Sequence, residues 1–172
     1  MKTRVLVVVD MQNDFIDGSL GTKEAALIVS NVKKKIEEWE GKVIFTRDTH
    51  QENYLDTQEG INLPIMHCIE NTEGWQISKL LDTNKAIEIF NKNTFGSIDL
   101  GKWLKRNEKD LEEVQFVGLC TDICVLSNAI LVKAFLPECL ISVDARCCAG
   151  VTVQSHEIAL KAMEACQIKV IR

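Results

Sequence analysis

The sequence predicts an α/β protein: a single three-layer α/β/α domain over residues 1–172, with a mostly parallel central sheet of the Rossmann-like kind. Three observations carry that prediction. Short apolar, β-branched runs alternate with segments of helical period along the chain. The runs are apolar at nearly every position, as strands are when helices cover both faces of a sheet. A length of 172 residues suits one domain with a sizeable core. No low-complexity tract, repeat or linker divides it.

Val5–Val9 reads as the first strand. A helix follows from about Thr22 to Trp39, with Thr22 as N-cap. Ala26, Val29, Val32 and Ile36 form its apolar stripe, and Gly41 ends it. Lys42–Thr46 is the second strand. Beyond a long polar loop, Trp75–Leu81 reads as a short helix and Ala86–Phe90 as the third strand. Asp99 caps a helix through Lys105, Val114–Val117 is the fourth strand, and Asp122–Phe135 is a strongly apolar helix. Leu140–Val143, a helix over Thr152–Ala165 and a closing strand at Ile168–Ile171 complete the series. Pro64 and Pro137 both fall in loops. The segment His50–Glu73 is too long for an idle connection, which marks it as functional.

The hydrophobic share of 46% and charged share of 26% are ordinary for a soluble globular protein. A net charge of −5 argues against sequence-independent nucleic-acid binding. The densest basic run, Lys33-Lys34-Lys35, is followed by Glu37, Glu38 and Glu40 and reads as a solvated helix face. Met1-Lys2-Thr3-Arg4 leads straight into the first strand, without the apolar stretch of a secretory signal. No run approaches the roughly 20 apolar residues of a membrane span. Seven cysteines, an odd number with no secretion signal, point to a reducing cytosol. Cys68, Cys139 and Cys166 read as small core residues, and Cys147-Cys148 as packing rather than a redox pair.

Asp10, Lys92 and Cys124 are distant in sequence, yet each follows the carboxyl end of a strand-like run. In an open parallel sheet those ends share one edge, where ligands bind. A thiol, a carboxylate and an ammonium gathered there form an activated nucleophile with its base and charge partner. Cys124 lies within Gly118–Val125, where Thr121 or Asp122 can cap the following helix. That would set Cys124 in the first turn, where unpaired amides and the helix dipole lower a thiol pKa from its ordinary ~8.5. A carboxylate closing the first strand is costly unless partnered. An ammonium offsets both thiolate and carboxylate. The plainer alternatives are a packing cysteine, a turn-forming Asp and an exposed Lys. Asp48-Thr49-His50 adds two side chains at i and i+2, and His67 can complete a facial metal set. The alternative is that both histidines simply hydrogen-bond within the loop. His156 reads as structural or surface. The Cys120-x-x-x-Cys124 spacing matches neither a zinc knuckle nor a thioredoxin-like pair.

Taken in order, these segments resemble the isochorismatase-like cysteine hydrolases, and within them the nicotinamidases. The residues concerned are Val8–Phe15, Thr46–His50, His67-Cys68 with Thr72-Glu73-Gly74, Lys92 with Phe95, Gly118–Val125, and Ser155-His156-Glu157. The resemblance implies the isochorismatase-like hydrolase fold and a catalytic triad of Asp10, Lys92 and Cys124. It implies a non-proline cis peptide at Leu119–Cys120, which helps aim the amides of Cys120 and Cys124 into an oxyanion hole. It also implies a substrate pocket walled by Phe15, Leu119 and Cys120. A divalent metal, zinc first with iron or manganese as alternatives, would sit on Asp48, His50 and His67. A homo-oligomer is expected too. The pattern departs from nicotinamidases at Thr49 and Tyr54, and at Leu63 or Pro64.

The activity so implied is cysteine-dependent hydrolysis of a small carboxamide, nicotinamide foremost. Two rivals stand beside it: the same nucleophile acting on another amide, ureide or carbamoyl compound, and a non-catalytic thiol sensor or binding protein.

Overall fold

In a strand, successive side chains face opposite sides of the sheet. In the first strand, β1 (Thr3–Val9), Val5, Val7 and Val9 pack into one core while Leu6 and Val8 pack into the other. This is why the run is apolar without alternation. The computed structural model describes residues 3–172. After β1 come α1 (Asn13–Ile16), α2 (Lys23–Glu38), β2 (Lys42–Asp48), α3 (Gln58–Asn62), β3 (Ala86–Lys92) and α4 (Ile98–Arg106). Then follow β4 (Leu111–Leu119), α5 (Leu126–Phe135), β5 (Leu140–Ala149), α6 (Val153–Ala165) and β6 (Lys169–Ile171). One core joins the sheet to α4, α5 and α6 through residues such as Leu104, Val132 and Met163. The other joins it to α1 and α2 through Ile16, Val29, Val32 and Ile36.

The six strands are all parallel, in the order β3-β2-β1-β4-β5-β6. The chain first winds outward from β1 to β3, then returns to place β4 on the other side of β1. The strand order therefore reverses between β1 and β4, and a crevice opens at their carboxyl ends. The close approach there needs Gly118. Its φ is +115°, and a Cβ would lie 2.2 Å from the Val9 carbonyl oxygen.

Several sequence-based expectations shift. Trp75–Leu81 is not helical. Its backbone bonds instead to the chain leaving β1: Gln76 O accepts from Asn13 N–H, and Ser78 N–H donates to Met11 O. Ser97 rather than Asp99 caps α4, its hydroxyl accepting from Leu100 N–H. β5 runs on to Ala149, past an irregular stretch in its pairing with β4. This carries Cys147 and Cys148 into opposite cores. Cys68 is buried and Cys139 is half-buried against the core beneath α4, α5 and α6, but Cys166 is exposed and is not a core residue. Lys35 is not merely solvated. It reaches 2.6 Å to the fully buried Asp144 and donates to the Gln115 carboxamide.

Candidate active site

Four strand ends meet at the crevice. Asp10 directly follows β1, and its φ of 48° turns the chain sharply out of the strand. This left-handed region is rare for residues other than glycine, though Asp tolerates it better than most. Asp48 and Lys92 close β2 and β3 and are register partners. Beyond β4, a cis Leu119–Cys120 peptide leads into a single π-type turn over Thr121–Val125. Val125 N–H donates to Cys120 O across that turn, and Cys124 lies within it before α5 begins. The expected side-chain cap is absent from its start. The Thr121 hydroxyl pairs with His156, and the Asp122 carboxylate accepts from Val151 N–H.

The structure brings Asp10, Lys92 and Cys124 together, all buried. The Lys92 ammonium is 2.6 Å from Asp10 Oδ2, 3.0 Å from Asp48 Oδ1 and 3.5 Å from Cys124 Sγ. Thr46 donates to the other Asp10 oxygen at 2.7 Å. Burial pushes the Asp10 carboxyl above its ordinary range, with Lys92 opposing and Asp48 reinforcing. The Lys92 ammonium is desolvated too, but Asp10, Cys124 and Asp48 outweigh that and hold it firmly charged. Cys124 departs from the expectation of a lowered pKa. Burial raises it well above an ordinary thiol, and Lys92 only partly offsets this. The resting site is thus a thiol and a proton-avid carboxylate joined to one fixed cation.

One lobe of this cluster is rich in ligating atoms. Asp48, His50, Glu59 and His67 each offer one, all within 4.8 Å of one another. His50 Nε2 is 3.0 Å from Asp48 Oδ2 and 3.6 Å from Glu59 Oε1. His67 Nε2 lies 3.6 Å and 3.8 Å from the same two oxygens. His67 Nδ1 is 2.8 Å from the Ile65 carbonyl, which fixes the proton there and leaves Nε2 free to ligate. Burial and the Asp48 charge raise Glu59, and the pull of Asp48 and Glu59 raises His67 against its burial. Two crowded carboxylates and two imidazoles fit a divalent cation, which would relieve that crowding. Glu59 joins this group with no sequence motif to mark it. It sits in the first turn of α3, whose Thr57 cap accepts from Gly60 N–H. Its place in the same long loop as His50 and His67 was the one signal available. Tyr54 packs beside this group and turns its hydroxyl away from it. Its hydroxyl donates to Leu63 O, burial, Glu59 and Asp48 hold its pKa up at about 12, and its ring packs on both histidines.

Three further side chains tie the segments around the crevice together. The buried Gln12 carboxamide donates to the carbonyls of Asp48 and Trp75 and accepts from Asp48 N–H. Trp75 Nε1–H donates to the Thr49 hydroxyl. Asp14 accepts from Cys68 N–H, beside His67. The ring of Phe15 lies 5.6 Å from that of His67, while Leu119 is buried and Cys120 half-buried where the chain enters the turn carrying Cys124. A cleft of about 980 Å³ opens beside Lys92, His50 and Glu59, with Leu63, Phe95 and Ile123 on its walls.

The nicotinamidase of Escherichia coli (strain K12) is 27% identical over 198 residues, covering 95% of this chain and 91% of that protein. The nicotinamidase of Saccharomyces cerevisiae is 28% identical over 179 residues, covering 76% of this chain and 80% of its own length. Among solved structures, the pyrazinamidase of Pyrococcus horikoshii in complex with zinc superposes with a TM-score of 0.85 at 27% identity, covering 99% of both chains. The isochorismatase domain profile matches residues 4–172, and by that match the chain belongs to the isochorismatase family.

Proposed function

We propose that this protein is a nicotinamidase, hydrolysing nicotinamide to nicotinate and ammonia through a thioester on Cys124. The observation that carries the reading is one buried ammonium, Lys92, touching Asp10 and Cys124 on one side and Asp48 on the other. A thiol sensor has no need of such a constellation. The relatives' activity supports the same reading.

Asp10, its basicity raised by burial, takes the thiol proton of Cys124 as substrate arrives. The thiolate adds to the carboxamide carbon, and the charge on oxygen is held by the N–H groups of Cys120 and Cys124. Donors of this kind are each worth roughly 10²–10³ in rate. Asp10 then returns its proton to the departing nitrogen, releasing ammonia and leaving the thioester. Water, deprotonated by Asp10, attacks that thioester, and nicotinate leaves as Cys124 regains a proton. Lys92 stays charged throughout and steadies whichever anion is present. Phe15, Leu119 and Cys120 wall the ring. Asp48, His50 and His67, joined by Glu59, would hold a divalent metal, zinc in the first instance. When bound, it supplies a Lewis-acidic contact that orients the pyridine nitrogen. The protein would act in the cytoplasm, in pyridine nucleotide salvage, as a homo-oligomer.

The cleft favours a second reading. At about 980 Å³ it reaches the upper end of the range for drug-sized ligands, far more room than a pyridine carboxamide fills. Cys124, Phe15, Leu119 and Cys120 do not line this cleft, which meets the thiol only through Lys92, so a larger amide or ureide would extend into it from the same nucleophile.

Ammonia release from nicotinamide, pyrazinamide and a set of ureides tests both. Nicotinamide turnover that is lost in Cys124→Ala, with the variant still folded, is the expected result. Substantial turnover by Cys124→Ala would remove the mechanism. Turnover of ureides alone would move the assignment to the second reading.

A further inference from the structure

We propose that His156 is a positioning residue for the nucleophile turn, gripping Thr121 so that the amides and thiol of Cys120–Cys124 keep their reactive geometry. The inference rests on the amidase reading above and concerns a histidine that reading does not use.

The π-type turn over Thr121–Val125 has no side-chain cap at its start. A helical beginning without a cap leaves donors unanchored and its first residues loosely held. Turns of this type persist mainly where function needs them. Here the anchors come from outside, one from the first turn of α6 and one from the connection between β5 and α6. The His156 imidazole Nδ1 and the Thr121 hydroxyl share a hydrogen bond at 2.8 Å. Val151 N–H donates to the Asp122 carboxylate at 3.1 Å. Thr121 is fully buried, so its hydroxyl has no water to fall back on.

The far side of the grip is rigid. Thr152 and Ser155 cap the start of α6 reciprocally, and His156 N–H donates to Thr152 O within its first turn. Gly150 lets the incoming chain lie directly on the histidine. A Cβ at Gly150 would come within 2.9–3.0 Å of His156 N, Cα and Cβ. A histidine that only filled space would need neither this fixed backbone nor a buried hydroxyl partner. A side chain that sets the position of catalytic amides acts through geometry, and small displacements there are costly in rate.

The test uses the full-length, metal-loaded protein and a substrate it turns over, with His156→Ala, Thr121→Val, the double variant, His156→Asn and His156→Gln. Asn presents a polar atom where imidazole carries Nδ1, whereas Gln places it one bond further out. His156→Ala and Thr121→Val should each lower kcat by roughly tenfold, with KM nearly unchanged. The double variant should be no worse than either single one, and Asn but not Gln should recover most of the loss. A kcat within twofold of wild type in His156→Ala, or fully additive losses, overturns the proposal. Equal rescue by Gln does the same. If His156→Ala fails to fold, Thr121→Val carries the test. A second readout separates this inference from the amidase reading: the rate at which iodoacetamide alkylates Cys124, located by mass spectrometry. An unaltered Cys124 rate in His156→Ala refutes the positioning role, while wild-type protein inert towards every amide refutes the activity.

Discussion

Replacing Lys92 with Met removes one charge and strands two others. The Lys92 ammonium lies 2.6 Å from Asp10 and 3.0 Å from Asp48, and all three side chains are almost fully out of solvent. At an effective dielectric of about 20, the two contacts carry about 6.4 and 5.5 kcal/mol of Coulomb attraction. Desolvation cancels much of that, and breaking a buried pair by removing one partner costs about 3–5 kcal/mol. With two carboxylates left facing each other, the upper end applies, so Lys92→Met should lose about 4–5 kcal/mol at pH 7. Urea unfolding in the presence of a chelator measures this directly. The loss should be smaller when zinc is added, since a cation beside Asp48 replaces part of the missing charge. It should also shrink as pH falls from 7. The Asp10 carboxyl is already raised by burial, and without the ammonium it takes up a proton still more readily, which removes the repulsion. A loss under about 1 kcal/mol, or one independent of pH, would refute the view that Lys92 compensates two buried anions.

Away from the site, burial pushes the Asp144 carboxyl up, but hydrogen bonds from Arg146 and Lys35 outweigh it and hold its pKa below the ordinary value of 3.8. A lowered folded-state pKa gives stability that is present above the unfolded value and lost as pH falls through the folded one. Wild-type stability should therefore drop as pH falls below about 4, and in Asp144→Asn this part of the acid dependence should vanish from the urea midpoints. Glu59→Gln should weaken zinc binding by roughly tenfold or more in competition with a chromophoric chelator. Unchanged affinity would mean that Glu59 stands beside the ion rather than on it. Stripping the metal from wild-type protein should lower its melting temperature, because an ion bound only by the folded state stabilises it.

The parts of the site legible in the sequence were those tied to strand ends. Val5–Val9 could be recognised as a buried strand, and Asp10 as the polar residue closing it, because local pattern alone decides both. The same held for Lys92 after Ala86–Phe90 and for Cys124 after Val114–Val117. Glu59 was hidden, since an exposed-looking carboxylate in a polar loop has no period to betray it. Only the fold of α3 brings it to within 3.6 Å of His50. Trp75–Leu81 departs from the helix its pattern suggests for a related reason. Its apolar spacing suits a helix, but its backbone partners lie more than sixty residues upstream, at Met11 and Asn13. The thiol of Cys124 was expected to be acidified by a helix start. Its protonation state depends instead on burial, which no single segment reveals.

By itself the sequence determined the α/β class, the strands and the three residues, Asp10, Lys92 and Cys124, that the structure gathers at one sheet edge. These follow from short-range chemistry: apolar runs must be buried on both sides, and a charged residue ending such a run must find a partner. Only the tertiary structure decided that β4 returns beside β1, that Asp48 shares Lys92 with Asp10, and that Glu59 joins the two histidines. It also decided that Thr121 turns away from capping and towards His156. Those choices depend on distances between segments far apart in the chain, set when the two cores close on the sheet.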